Sequence, residues 1–222
     1  MKPSFSLTLC LSTAGLVAAA TGCNAGSSPA SPATISASAP AAKKVPRPPK
    51  IVGVISAPEG VKKLGVVYLE DAPRQPGVAT TADVYIHHKD FTPFIAVVAA
   101  GGTVTFGNRD ALTHHMFSPE LPGWDTGYLQ QDGTVARRFD APGAISLLCN
   151  IHPEMIGYLL VVPSTSFALV APDGKYAISD VPPGTYRATF WAPRAAPFTW
   201  PVTVTADGVA TANFELRPLV AP

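Results

Sequence analysis

A two-residue alternation of apolar and polar side chains runs through most of this chain. It predicts strands at 51–56, 64–70, 83–87, 103–106, 135–139, 145–148 and 158–162, with the short apolar run at 95–99 as another, because successive side chains on a strand face opposite sides of the sheet. Pro58, Glu59 and Gly60 form the turn signal between the first two. Past residue 164 the alternation resumes at 167–170, 176–178, 185–190, 198–204 and 210–216, punctuated by Asp173-Gly174, Pro182-Pro183-Gly184 and Asp207-Gly208. Beyond the N-terminal segment no run of a dozen residues keeps helical periodicity free of Gly and Pro. The pattern therefore predicts an all-β protein.

Composition agrees and narrows the function. A length of 222 residues suits one or two domains. With 24 Pro, 18 Gly and 14% charged residues, the chain fits short strands joined by turns. A formal net charge of +1 leaves no basic footprint for nucleic acid. Residues 1–23 carry one early cation, Lys2, an apolar run over 7–20 and the small residues Ala20, Thr21 and Gly22 before Cys23, the layout of a secretory leader. Its ending resembles a bacterial lipoprotein signal, which implies lipid on Cys23 and an anchor holding the protein in the periplasm, at the outer membrane. The apolar run is too short to span a bilayer, which takes about 20 residues. Residues 24–50, rich in Ser, Ala and Pro and ending in a basic, Pro-rich stretch, cannot build a core and predict a disordered tether.

Of the three cysteines, Cys10 would leave with the leader, and the lipoprotein resemblance implies that Cys23 would take the lipid. Cys149 is then a lone thiol in an oxidising compartment, without a disulfide partner. It stands in the stretch Cys149-Asn150-Ile151-His152-Pro153-Glu154-Met155, between two apolar runs. A thiolate and a neutral imidazole suit copper, and a thioether can serve as a weak further donor. A second imidazole is offered upstream by His114 or His115, just after the alternating strand that ends near Asn108. His87 and His88 point to opposite faces of a strand end and predict a solvated turn instead.

The order and spacing of these residues resemble the cupredoxins, or blue copper proteins, with a short amicyanin-like ligand loop, over roughly residues 80–162. The resemblance implies a Greek-key β-sandwich with one type 1 copper per chain, held by His114, Cys149, His152 and, axially, Met155. It implies that Asn108 ties the two ligand loops together, with His115 and Pro153 beside the ligands. Cupredoxins usually carry Asn after the first ligand histidine; here that place is His115, so the choice of imidazole is open in the sequence, and the resemblance favours His114.

Residues 171–186 resemble carboxypeptidase-regulatory or transthyretin-like β-sandwich modules, which bind or support. Such a module over 164–218 lacks its first two strands, and the strands within 51–72 are surplus to the cupredoxin. The expected organisation is therefore a small β-sandwich built from 51–72 and 164–218, with a cupredoxin domain at 80–162 inserted in it. The expected function is single-electron transfer with a redox partner protein, without bond-making chemistry. Copper storage or delivery, or a docking role for the second module, are the alternatives. With five histidines in all, a second copper centre for oxidase or nitrite-reductase chemistry is not expected.

Overall fold

The computed structural model describes residues 48–57, 64–74, 80–121, 123–206 and 208–215. The leader, Cys23, the tether up to residue 47 and the turn at 58–60 lie outside the described residues. Sixteen strands and no helix make up the described chain. In order they are β1 (Lys50–Ser56), β2 (Val66–Leu69), β3 (Thr81–His87), β4 (Asp90–Thr92), β5 (Ile95–Ala99), β6 (Gly102–Asn108), β7 (Met116–Phe117) and β8 (Thr134–Phe139). Then follow β9 (Gly143–Cys149), β10 (Ile156–Val162), β11 (Phe167–Leu169), β12 (Lys175–Ile178), β13 (Gly184–Trp191), β14 (Phe198–Val204), β15 (Val209–Thr211) and β16 (Phe214–Glu215).

Two sheets hold the middle of the chain, in the orders β4-β3-β6-β8 and β5-β10-β9-β7. Their inner faces meet in a core of Val84, Ile86, Val98, Val104, Phe106, Met116, Leu147, Leu159 and Val161. The other two sheets are β11-β2-β13-β14 and β12-β1-β15, with β16 also on β1. They close over Ile51, Ile55, Val67, Leu69, Ile178, Ala188, Phe190 and Val204. A third apolar cluster, Val66, Ile95, Ala99, Leu160 and Val162, glues the outer face of β5 and β10 to β2. The result is a stack of four sheets with an apolar layer in each gap. It explains why β10 reads as a continuous apolar run: Leu159 and Val161 face one gap, and Leu160 and Val162 face the next.

The N-terminal strands pair with the C-terminal ones. β1 runs antiparallel to β12 and parallel to β15 and β16, while β2 lies antiparallel between β11 and β13. The two ends of the intervening segment are bonded neighbours: the Leu69 N–H donates to the Ser166 carbonyl at 3.0 Å, and the Ser164 hydroxyl donates to the Leu69 carbonyl at 2.6 Å. One expected strand divides. The run starting at 210 forms β15 and β16, interrupted where the Val54 N–H donates to the Asn213 side chain at 2.9 Å instead of to a backbone carbonyl. Beside it the backbones approach so closely that a Cβ on Gly53 would lie 1.7 Å from the Ala212 carbonyl oxygen, so only glycine fits there.

Candidate metal centre

Four segments build the site. β6 ends at Asn108, a residue 1% exposed whose amide bridges two loops. Its Nδ2 donates to the carbonyls of Leu112 at 2.7 Å and Leu129 at 2.9 Å, and its Oδ1 accepts the Asp110 N–H at 2.9 Å. His114 is pinned next, exchanging backbone hydrogen bonds with Leu129 at 3.0 and 2.8 Å. β7 then pairs with the end of β9, placing Met116 opposite Cys149. That short ladder sets the histidine loop beside the cysteine. After Cys149 the chain turns tightly, with the Met155 N–H donating to the His152 carbonyl at 3.1 Å, before entering β10.

The consequence is a convergence of donors. His114 Nδ1 lies 3.7 Å from Cys149 Sγ, His152 Nδ1 lies 3.9 Å from the same sulfur, and the two Nδ1 atoms are 3.2 Å apart. His114 and Cys149 are buried and His152 is half-buried. Among the described residues these three form the one cluster of His, Cys, Asp or Glu side chains with metal-ligand spacing. Donors about 2.0–2.3 Å from a first-row ion, spread evenly in a plane, stand roughly 3.5–4.0 Å from one another. The two nitrogen–sulfur separations, 3.7 and 3.9 Å, fall in that range and the nitrogen–nitrogen separation of 3.2 Å lies just below it, and a thiolate with two imidazoles is the donor set expected of copper. Met155 is buried in the same core cluster as Cys149. Leu112, Ile151 and Pro153, within two residues of the cluster in the chain, are exposed, the first two at 48% and 41%.

The other candidates point elsewhere. His115 turns away from the cluster: its Nε2 lies 3.1 Å from Asp125 Oδ1 and its ring sits against Tyr128 at 5.1 Å. His87 and His88 are exposed, the former at the end of β3 and the latter in the following turn. One residue was missed by sequence reasoning. Asp110 Oδ2 lies 3.1 Å from His114 Nε2, and its two carboxylate oxygens accept the backbone N–H groups of His88 at 2.6 Å and Lys89 at 2.8 Å. Burial opposes the charge on Asp110, but those amides and His114 outweigh it and hold the carboxyl below its ordinary range. Burial likewise lowers the basicity of His114 despite the opposing pull of Asp110, which favours the neutral ring that a metal requires.

No family model matches the chain. It is similar to amicyanin-alpha of Methylorubrum extorquens, at 30% identity over 91 residues, covering 39% of this chain and 76% of that protein. Among solved structures it is similar to a purple cupredoxin from Nitrosopumilus maritimus (20% identity, TM-score 0.34, covering 36% of this chain and 98% of that one). It is also similar to a reduced amicyanin variant (22% identity, TM-score 0.34, 43% and 97%). A copper-containing nitrite reductase from Thermus scotoductus matches over 41% of this chain but 24% of its own (24% identity, TM-score 0.34). On the sequence match to amicyanin-alpha, which spans three quarters of that protein, this chain belongs to the amicyanin family of cupredoxins.

Proposed function

We propose that this protein is a one-electron carrier built on a single type 1 copper, which His114, Cys149 and His152 would hold, with the Met155 thioether as the weaker, axial donor that the cupredoxin resemblance implies. The observation that carries the reading is the approach of His114 Nδ1, Cys149 Sγ and His152 Nδ1 to within 4.8 Å of one another. Copper bound there supplies a Cu(II)/Cu(I) couple. The chain supplies constraint. His114 and Cys149 are buried and His152 is half-buried, all on strand ends and hydrogen-bonded turns, so little would have to move on electron transfer, and the surrounding apolar core limits access of water. The half-buried edge of His152, framed by Leu112, Ile151 and Pro153, is the proposed point of contact with a redox partner protein. The bonded ends at Leu69 and Ser166 support an organisation in which 80–162 is inserted into a sandwich made of 51–72 and 164–218. That outer sandwich we take as a binding or docking module. Lipid on Cys23 and a periplasmic, membrane-anchored location complete the proposal; Cys23→Ser should release the protein from the membrane fraction, and unchanged partitioning would remove the anchor from it.

Adding Cu(II) to the purified full chain tests the core claim. We expect an intense blue thiolate charge-transfer band, lost in Cys149→Ser, His152→Ala and His114→Ala but retained in His115→Ala. A colourless wild-type complex refutes the type 1 assignment. Retention in His114→Ala with loss in His115→Ala reverses the choice of imidazole.

A further inference from the structure

We propose that Asp110 is the positioning residue for His114: its carboxylate fixes the proton on Nε2, leaving Nδ1 bare and turned towards Cys149 and His152, and its negative charge lowers the reduction potential of the site. The potential clause rests on the copper reading above; the clause on the proton does not. A carboxylate has acceptors only. The hydrogen between Asp110 Oδ2 and His114 Nε2, 3.1 Å apart, is therefore carried by the imidazole. A neutral ring with its proton on Nε2 presents the Nδ1 lone pair, the atom 3.7 Å from Cys149 Sγ and 3.2 Å from His152 Nδ1. The opposite tautomer would leave two lone pairs facing each other across the Asp110 contact and aim an N–H into the cluster.

Asp110 is itself held from three sides. Its N–H is bound by Asn108, and its oxygens are fixed by the amides of His88 and Lys89, which stand at φ 53° and 59°. Those left-handed residues close the turn between β3 and β4 and aim consecutive N–H groups at the carboxylate. The His87 Nδ1 is the remaining ionisable neighbour, 4.0 Å from Asp110 Oδ1. The side chain of Asp110 is 10% exposed, so its charge acts on the site with little screening by water. A nearby anion favours the more positive oxidation state, which sets the sign of the effect on potential.

The test uses the full chain, as apo protein and with copper. In the apo form, nitrogen-15 NMR of the histidine rings should show His114 as the Nε2–H tautomer, and Asp110→Ala should convert it to a mixture. Asp110→Asn keeps an oxygen that can accept from Nε2 but removes the charge; it should hold the tautomer. With copper it should shift the Cu(II)/Cu(I) equilibrium about tenfold towards Cu(I), a rise of about 59 mV for one electron. An Nδ1–H tautomer in the wild-type apo protein overturns the proposal whatever happens with copper. A fall in apo melting temperature in both variants, with tautomer and potential unmoved, also overturns it and reduces Asp110 to a cap on the turn. If wild-type protein forms no blue complex, the copper reading fails and the apo tautomers still decide the positioning role.

Discussion

Replacing Asn108 by Ala tests how far the site depends on one buried amide. The side chain makes three hydrogen bonds, to the Leu112 carbonyl, the Leu129 carbonyl and the Asp110 N–H. Leu129 keeps a partner, because its carbonyl also accepts the His114 N–H at 3.0 Å. Leu112 and Asp110 lose the bonds that Asn108 gives them. At about 1 kcal/mol net for each of the three bonds, the loss is about 3 kcal/mol. In urea, with a slope of about 2 kcal/mol per molar, that moves the unfolding midpoint down by about 1.5 M. The assay is equilibrium unfolding of the apo protein followed by far-ultraviolet circular dichroism. Asn108→Asp provides a control with a predicted sign. The introduced carboxylate would face two carbonyl oxygens, so its folded-state pKa is raised; the penalty is full at neutral pH and shrinks as pH falls through that pKa. A midpoint shift for Asn108→Ala below about 0.5 M, equivalent to about 1 kcal/mol, would refute the view that this amide locks the two loops.

Met155→Leu should leave copper bound while raising the reduction potential, since a thioether donor favours Cu(II) over an aliphatic side chain of similar volume; an unchanged potential in voltammetry would mean that Met155 is not a ligand. Gly53→Ala should destabilise the outer sandwich by about 3 kcal/mol or more, because backbone cannot yield as a side chain can, and the added methyl would meet the Ala212 carbonyl oxygen at 1.7 Å and the Tyr176 ring at 2.7 Å. A thermal-melt difference equivalent to under 1 kcal/mol, or about 4 °C for a small domain, would contradict that contact.

The strands were legible in the sequence because alternation is a local signal: β3, β6, β8, β9 and β13 each appear within a few residues of where the pattern puts them. What failed was anything shorter than the period needs. β7 has two residues, too few to alternate, yet its pairing with Cys149 and Leu148 is what brings the histidine loop to the cysteine. The division of β15 from β16 depends on one side chain, Asn213, accepting a bond from a strand far away in sequence. The grouping of His114, Cys149 and His152 was readable because a lone thiol with His and Met at fixed spacing is rare chemistry. Asp110 was not, because a carboxylate in a loop next to an arginine looks like surface, and only the folded turn of His88 and Lys89 buries it. The same limit applies to the gap between the sandwiches. The apolar run 159–162 announces a strand covered on both sides, but not by what.

That gap bears on how the site meets the rest of the molecule. Domains joined by small polar contacts move against each other by default. Here Val66, Ile95, Leu160 and Val162 are all buried between β2 and the β5–β10 face. At about 1.5–3 kcal/mol for each such side chain, the contact contributes on the order of 10 kcal/mol gross, and Tyr158 adds an edge-on contact with Trp191, ring centres 5.9 Å apart. Where the chain leaves and re-enters the outer sandwich, Leu69 and Ser166 are hydrogen-bonded to each other. None of the residues in this seam belongs to the His114, Cys149 and His152 cluster, and Leu112 and Ile151 stay exposed. The outer sandwich is therefore packed on the β5–β10 face and leaves Leu112 and Ile151 uncovered. If the outer sandwich docks a partner as proposed above, this seam would set the angle at which that partner meets the edge of His152.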